Sequence, residues 1–474
     1  MKISTVEDER VHVLNNNSNV WSIIRDIVDT GTQEDAFYIC DIGDIVQKHK
    51  IWKSAFPRVQ PHYAVKCNDS LTVIEVLAAL GTSFDCASKG EINKVLEIGV
   101  DPNRIIFANP AKPISHIRHA ADVGVNTMTF DNEVELHKVK NLFPDAKMVI
   151  RIRCDAKVSQ CPLGMKFGCN AETEAPHLLR VASELGLDVV GVSFHVGSGC
   201  GEPDVFRKAI ALSRQIFDYA ESLGYRFNLL DLGGGYPGDH SNSIFEIAEI
   251  INCALEDYFP DPSVHVIAEP GRFYVSSAYT LACNVHSIRG VATRDPVTEA
   301  PSTHYMYYIN DGVYGSFNCV LYDHQHVVGL PLKEYPHSKL HSSSIWGPTC
   351  DGLDQVVEET LLPELHVGDW LIFENMGAYT LPVASPFNGF PVPKVHVVAN
   401  EDIWMLLKDI LPLTEDHFVI GTTPASLVKN MNVDRETDWV LPDLPITITL
   451  PICGDGTIIE EHVLEYVDVC PVAH

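Results

Sequence analysis

Between about residues 60 and 280, short apolar runs alternate with amphipathic stretches. The runs fall at 63–65, 104–108, 128–130, 148–152, 189–194, 229–232 and 264–268. Between them, residues 72–80, 91–98, 114–123, 134–142, 175–185, 204–223 and 244–258 carry apolar side chains at three- and four-residue spacing, as helices with one buried face do. A strand–helix unit repeated every ~25–40 residues predicts a parallel sheet, and this many units predict its closure into a (β/α)8 barrel. An open doubly wound sheet is the second architecture the pattern allows. Beyond about residue 280 the texture changes to β-branched and aromatic runs at 305–309, 370–373 and 394–398, separated by Gly, Pro, Asp and Asn. That predicts a second, mostly antiparallel β domain. Residues 36–40 read as one more strand joining it, and 293–303, rich in Pro, Thr and charge, as a surface loop. The expected class is therefore α/β plus all-β, with the barrel over 42–277 and the β domain over 8–41 and 278–411. A C-terminal extension, 412–474, combines a strand-like 446–450 with an acidic tail, and its pattern assigns it no role.

The chain has 474 residues, 46% hydrophobic and 20% charged, enough for two buried cores. Its 34 basic and 63 acidic residues leave a net charge of -29, which repels nucleic acid and anionic membrane surfaces. Thirteen cysteines, an odd number with no CxxC pair, fit reduced thiols in the cytoplasm better than a disulfide framework or a zinc site. The N-terminus lacks a secretory apolar region, and no apolar run approaches the ~20 residues that span a bilayer. His337 and His341 stand four apart in a polar loop without a general-base glutamate; like His324 and His326, they make poor metal ligands, and no metal is expected.

In a parallel barrel, functional groups gather at the C-terminal ends of the strands. Those ends carry Lys66, Asp85, Asn109, Arg151, His195, Gly233-Gly234-Gly235 and Glu269-Pro270-Gly271-Arg272. Singly, each has an ordinary reading. A strand-end lysine usually snorkels to solvent, a glycine run usually turns, a nearby Glu and Arg usually form a surface ion pair, and a lone histidine is usually structural. Seven in succession predict one site at the barrel mouth. Burial would lower the Lys66 pKa from ~10.4 and free an amine for Schiff-base chemistry. The glycines would let backbone N–H groups approach an anion, and Arg272 could clamp a phosphate. Glu269 could keep a pyridine nitrogen protonated. His195, opening His195-Val196-Gly197-Ser198-Gly199-Cys200, could stack on an aromatic cofactor while Ser198 reaches its phosphate. Two loops of the β domain add a thiol beside a carboxylate, in Trp346-Gly347-Pro348-Thr349-Cys350-Asp351-Gly352-Leu353-Asp354, and a tyrosine, in Glu374-Asn375-Met376-Gly377-Ala378-Tyr379-Thr380.

Together with Tyr63-Ala64-Val65-Lys66-Cys67-Asn68 and Phe84-Asp85-Cys86-Ala87-Ser88, these segments closely resemble the eukaryotic ornithine decarboxylase family over about residues 35–400. That family belongs to the alanine-racemase-like, fold III class of pyridoxal-phosphate enzymes. The resemblance implies pyridoxal 5'-phosphate held on Lys66, with Glu269 at the ring nitrogen and His195 against the ring. It places Ser198, Gly233, Gly234, Gly235, Gly271, Arg272 and Tyr379 around the cofactor, chiefly its phosphate, and Asp85 and Arg151 near the lysine and the ring oxygen. It also implies a head-to-tail homodimer with shared sites, Cys350 and Asp351 reaching the partner's cofactor. Cys350 would protonate the α-carbon once carbon dioxide has left. Tyr322, Asp323 and Asp351 would bind substrate, and the two aspartates suit the distal ammonium of a diamino acid. The implied reaction is L-ornithine to putrescine, a step of polyamine biosynthesis.

The chain departs from the family at His62, at Gly90, over 153–164 before Lys166-Phe167-Gly168 returns to pattern, and after about residue 410. Two alternatives follow: a decarboxylase of another amino acid, such as leucine or lysine, or a catalytically inactive homologue that binds antizyme. Retention of Lys66, Asp85, Gly233-Gly234-Gly235, Glu269 and Cys350 favours an enzyme. The family's antizyme-contacting region corresponds to about 112–140, which is partly kept, so antizyme stays open as a partner.

Overall fold

The apolar runs are covered on both faces and pair edge to edge, which is what a continuous hydrophobic strand requires. A computed structural model describes residues 10–16, 18–154, 159–161, 164–294 and 299–428. Eight parallel strands run in chain order: β1 (Val59–Ala64), β2 (Ser83–Cys86), β3 (Ile105–Phe107), β4 (Thr127–Phe130), β5 (Lys147–Arg151), β6 (Asp188–Ser193), β7 (Leu229–Asp231) and β8 (His265–Ala268). Each pairs with the next, and β8 pairs back with β1 through Val266 opposite Val59, so the barrel is closed and the open sheet is excluded. β1 stops at Ala64, earlier than its apolar run suggests. Val65–Cys67 tightens instead into a 3-10 turn that raises Lys66 at the rim.

The helices lie where the three-and-four spacing puts them. Asp204–Ser222 buries Val205, Phe206, Ala209, Ile210, Ser213, Ile216, Phe217 and Ala220, one stripe of its surface. Between helix Ile42–Ala55 and the barrel, the Trp52 indole N–H donates to the Val59 carbonyl at 3.0 Å, and its ring meets Phe56 at 4.5 Å and Tyr236 at 4.8 Å.

The second sheet is built around the long strand Tyr279–Arg294, which pairs antiparallel with Pro301–Ile309, Trp370–Phe373 and Phe37–Asp41. Phe37–Asp41 thus joins the later sheet, as its apolar run suggests. Parallel pairs also occur: Lys394–Asn400 lies beside Phe37–Asp41 and Val11–Leu14, and Pro301–Ile309 beside His341–Trp346. The expected loop at 293–303 is largely strand where it is described. Thr293 lies opposite Ser302 and Arg294 opposite Pro301, because a polar, β-branched hairpin end serves the ladder as well as an apolar one. Pro301 is tolerated as the first residue of its strand. Past residue 411, the short edge strand Phe418–Val419 pairs with Val11–Leu14. The strand-like 446–450 and the acidic tail lie outside the described residues. Among the described residues no helix is long and apolar enough to cross a membrane, and the described cysteines are free thiols.

Three hydrogen bonds fasten the turn after Trp370–Phe373 to the barrel, Asn68 Nδ2 to the Gly377 carbonyl (2.9 Å), Gly377 N to Ser276 O (3.1 Å) and Tyr379 N to Cys67 O (2.9 Å), while Met376 N donates to Tyr279 O (2.9 Å) at the start of the long sheet strand. Gly377 makes this approach possible, since a Cβ on it would lie 1.8 Å from the Val275 carbonyl oxygen. Gly377→Ala is expected to destabilise the fold by at least about 3 kcal/mol in urea unfolding, because a backbone atom must move. Gly352→Ala, with nothing within 4 Å of its Cβ, is expected to stay within about 0.5 kcal/mol of wild type.

Candidate active site

The strand ends place charge where water is scarce. Lys66 forms an ion pair with Asp85 at the end of β2; 36% of the lysine side chain is exposed and none of the aspartate. Glu269 at the end of β8 and Asp231 at the end of β7 are buried beside them. Burial raises the Asp85 carboxyl to about 7 even though Lys66 pulls it down, and raises Asp231 to about 6. Glu269 is pushed well above its ordinary range by burial and by the neighbouring Asp231. The expected lowering of Lys66 is not what results. Burial does act that way, but the facing carboxylates of Asp85 and Glu269 outweigh it and hold the ammonium above its usual value. In this arrangement Lys66 is a charged amine locked in a pair, and an incoming group must displace Asp85 to reach it.

Gly233 N–H donates to Asp231 Oδ1 at 2.9 Å, and its carbonyl accepts from Glu269 N–H at 2.7 Å, so the glycine turn is tied to both buried acids. His195 lies across this turn. A Cβ on Gly234 would sit 2.7 Å from His195 Nε2, and one on Gly235, whose φ is 118°, would sit 2.6 Å from Val196 Cγ2. His195 Nδ1 accepts the Gly197 N–H at 3.0 Å, and burial, then Arg151 and Lys66, hold the imidazole neutral. Arg151, at the end of β5, is buried with its guanidinium 5.3 Å from the Phe167 ring centroid. Arg272 donates to Ser198 Oγ at 3.1 Å and to Asp323 Oδ2 at 2.5 Å, and lies 5.3 Å from the Tyr379 ring centroid. Tyr379 is held at a φ of 55°, with its N–H on Cys67 O at 2.9 Å, which brings the second sheet's tyrosine beside the residue after Lys66. Gly271 packs against Cys67, 2.8 Å from where its own Cβ would stand to Cys67 Cβ.

Twelve candidate residues, from Lys66 round to Tyr379, therefore share one mouth: Lys66, Asp85, Arg151, His195, Ser198, Gly233, Gly234, Gly235, Glu269, Gly271, Arg272 and Tyr379. Asp323 joins them through Arg272. Cys350 and Asp351 do not. Cys350 is exposed, its N–H on Asn388 Oδ1 at 3.1 Å, and Asp351 accepts from the Tyr314 hydroxyl and from Leu353 N–H. Among the described residues no hydrogen bond or ion pair links either to Lys66, Glu269 or Arg272. Tyr322 is 70% exposed at the end of helix Asn318–Tyr322. Two acids of the site had no individual signal. Asp231 is hidden inside an apolar run. Asp354 is buried under the thiol loop and accepts from Val313 N (2.8 Å) and Thr349 N (2.9 Å), which shapes the turn bearing Cys350.

These residues suit pyridoxal phosphate. Lys66 could offer the amine for its aldehyde, Glu269 a carboxyl for its ring nitrogen, and the glycine turn with Ser198 and Arg272 a cradle for its phosphate. Asp85 Oδ1 is buried and, among the described residues, has no hydrogen-bond partner. Stripped of any cofactor, the cluster makes stability depend on pH. The folded carboxyls of Asp85, Asp231 and Glu269 sit above their unfolded values of about 4, so the folded state keeps protons that the unfolded chain has released. The contribution of Asp231 and Asp85 is greatest below about pH 4 and is lost as pH rises through 6 and 7, and that of Glu269 falls in the same direction. Lys66, raised, does not titrate in this window. Glu269→Gln is thus expected to make the melting temperature of the stripped protein fall less with rising pH than that of wild type.

A profile described as pyridoxal-dependent decarboxylase, pyridoxal binding domain, matches residues 42–276. The chain is 50% identical to ornithine decarboxylase of Rattus norvegicus over 420 residues, 86% of this chain and 91% of that one. It is also 50% identical to antizyme inhibitor 2 of Xenopus laevis over 403 residues, 83% of this chain and 88% of that one. Among solved structures, the Paramecium bursaria Chlorella virus arginine decarboxylase bound to agmatine aligns with a TM-score of 0.74 at 38% identity, covering 80% of this chain and 99% of that one. The lysine/ornithine decarboxylase of Vibrio vulnificus complexed with putrescine aligns at 0.70 and 31% identity, over 81% and 99%. A closed parallel barrel with a lysine, a glycine cradle and an acid at its mouth, matched at half identity over most of its length, places this chain in the ornithine decarboxylase family of pyridoxal-dependent decarboxylases.

Proposed function

We propose that this decarboxylase acts on L-ornithine, releasing carbon dioxide and putrescine, and so serves polyamine biosynthesis in the cytoplasm. The observation that carries the substrate is Asp323, a carboxylate buried at the rim against Arg272. A pocket for an apolar side chain would gain nothing from a charge there, whereas the distal ammonium of a diamino acid would pair with it. When bound, pyridoxal phosphate supplies the electron sink that accepts the bonding pair as carbon dioxide leaves. Lys66 would hold the cofactor through its amine. Glu269 keeps a proton on the ring nitrogen, which sustains that sink. His195, neutral, would pack against the ring without adding charge, and Asp85 and Arg151 would orient the lysine and the ring oxygen. Ser198, Gly233, Gly234, Gly235, Gly271, Arg272 and Tyr379 bind the phosphate side.

The remaining groups belong to a partner's site. Cys350 is exposed and Asp351 half-buried, and among the described residues neither bonds to Lys66, Glu269 or Arg272, which supports a head-to-tail homodimer in which they complete the opposite mouth. There Cys350 returns a proton to the α-carbon, and Asp351, with Tyr322, lines the substrate's far end. We divide the chain into a barrel over 42–277, a sheet domain over 8–41 and 278–411, and an extension over 412–474 whose start adds the edge strand Phe418–Val419 to that sheet. Likeness to an antizyme inhibitor supports antizyme as a regulatory partner, through residues 112–140.

A panel of amino acids assayed for carbon dioxide release tests the substrate. Ornithine should lead, with lysine, one methylene longer, about 10–200-fold behind in kcat/KM. Turnover of leucine and not ornithine would contradict the assignment, and no turnover together with no visible cofactor band would leave only the antizyme-binding reading. Mixing inactive Lys66→Ala with inactive Cys350→Ala protein should restore about a quarter of wild-type activity, because half of the re-paired dimers carry one intact site.

A further inference from the structure

Asp323 is held by more than the barrel. The short strand Ser159–Cys161 runs antiparallel to Ser198–Cys200, with Ser198 opposite Cys161 and Cys200 opposite Ser159. This pairing sets Gln160 over Gly199, whose missing side chain makes the room: a Cβ there would lie 2.6 Å from Gln160 Oε1. From that position Gln160 Nε2 donates to the Asp323 main-chain oxygen at 2.6 Å and to Asp323 Oδ2 at 3.2 Å. The same Oδ2 takes the Arg272 guanidinium at 2.5 Å. Gln160 lies in the 153–164 stretch, where this chain departs from its family.

The two donors are not equivalent. Arg272 also contacts Ser198 and faces the proposed phosphate position, where a phosphate dianion competes with Asp323 for the guanidinium. The amide of Gln160 instead places both of its Nε2 hydrogen bonds among the described residues on Asp323. Being neutral, it orients the carboxylate without cancelling the charge that a substrate ammonium needs. It also grips both the backbone and the side chain of one residue, which fixes the carboxylate against its own main chain.

We infer that Gln160 is a specificity-determining positioning residue, holding the Asp323 carboxylate in register for the distal ammonium of a diamino acid. The inference rests on the role proposed for Asp323. It is tested on the holoenzyme by calorimetric binding of two amines, 1,4-diaminobutane and 1-aminobutane. Their affinity ratio reports the distal ammonium and little else. Gln160→Met keeps the length of the side chain and removes the donor. It should shrink the diamine preference about tenfold, as loss of a hydrogen bond to a charged group does. The KM for ornithine should rise to match, at saturating cofactor, while kcat falls by no more than about twofold. Gln160→Ala must give the same result. An unchanged ratio, or an equal weakening of both amines, would overturn the inference. Asp323→Asn separates the two ideas. If it collapses the ratio and Gln160→Met does not, only the role of Gln160 fails. If Asp323→Asn also leaves the ratio intact, the reading of Asp323 fails with it.

Discussion

Everything at the barrel mouth follows from the burial of more negative charge than the local cations can neutralise comfortably. Asp85, Asp231 and Glu269 meet Lys66 and Arg151 in a space with little water, where each unpaired ion costs several kcal/mol after relaxation. The chain accommodates this by raising all three carboxyls, so that they keep their protons to a higher pH than free ones would. Under the roles proposed above, a cationic ring nitrogen would offset the acidic cluster and an anionic phosphate the Arg272 end. The site is built for completion, and stability is given up to keep it so.

The second sheet matters because it closes this mouth from outside the barrel. Tyr379 reaches the Arg272 end only because its backbone is tied to Cys67, and that tie depends on the close passage of Gly377 over Val275. Asp354 does comparable work at the other loop, gathering the backbone N–H groups of Val313 and Thr349 and so shaping the turn that carries the exposed Cys350. One sheet thereby serves its own barrel with a tyrosine and a partner's barrel with a thiol, under the dimeric arrangement proposed above.

Much of this was legible in the residues. Alternating runs foretell a closed barrel because a parallel strand must be apolar throughout and its crossover helix must show one apolar stripe. Polar residues at the ends of such runs then stand out against that background. β2 left little periodic trace, since Ser83–Cys86 is four residues long and contains a charge. Asp231 stayed hidden for the opposite reason, as one acid within an apolar run. The direction of the Lys66 shift was misjudged because a sequence reports burial but not which charges face one another across the barrel. Residues 293–303 misled because composition reports exposure, and an exposed hairpin end is still strand. Gln160 carried no signal at all: its role arises from a pairing with Ser198–Cys200 that no local pattern encodes.

The most direct measurement of the central claim is borohydride reduction of the holoenzyme followed by peptide mapping. The expected result is one phosphopyridoxyl adduct, on the peptide containing Lys66, and none in Lys66→Ala protein. An adduct on a different lysine, or no adduct from protein that decarboxylates ornithine, would contradict the assignment of Lys66 as the residue around which the buried acids, the glycine cradle and the second sheet are arranged.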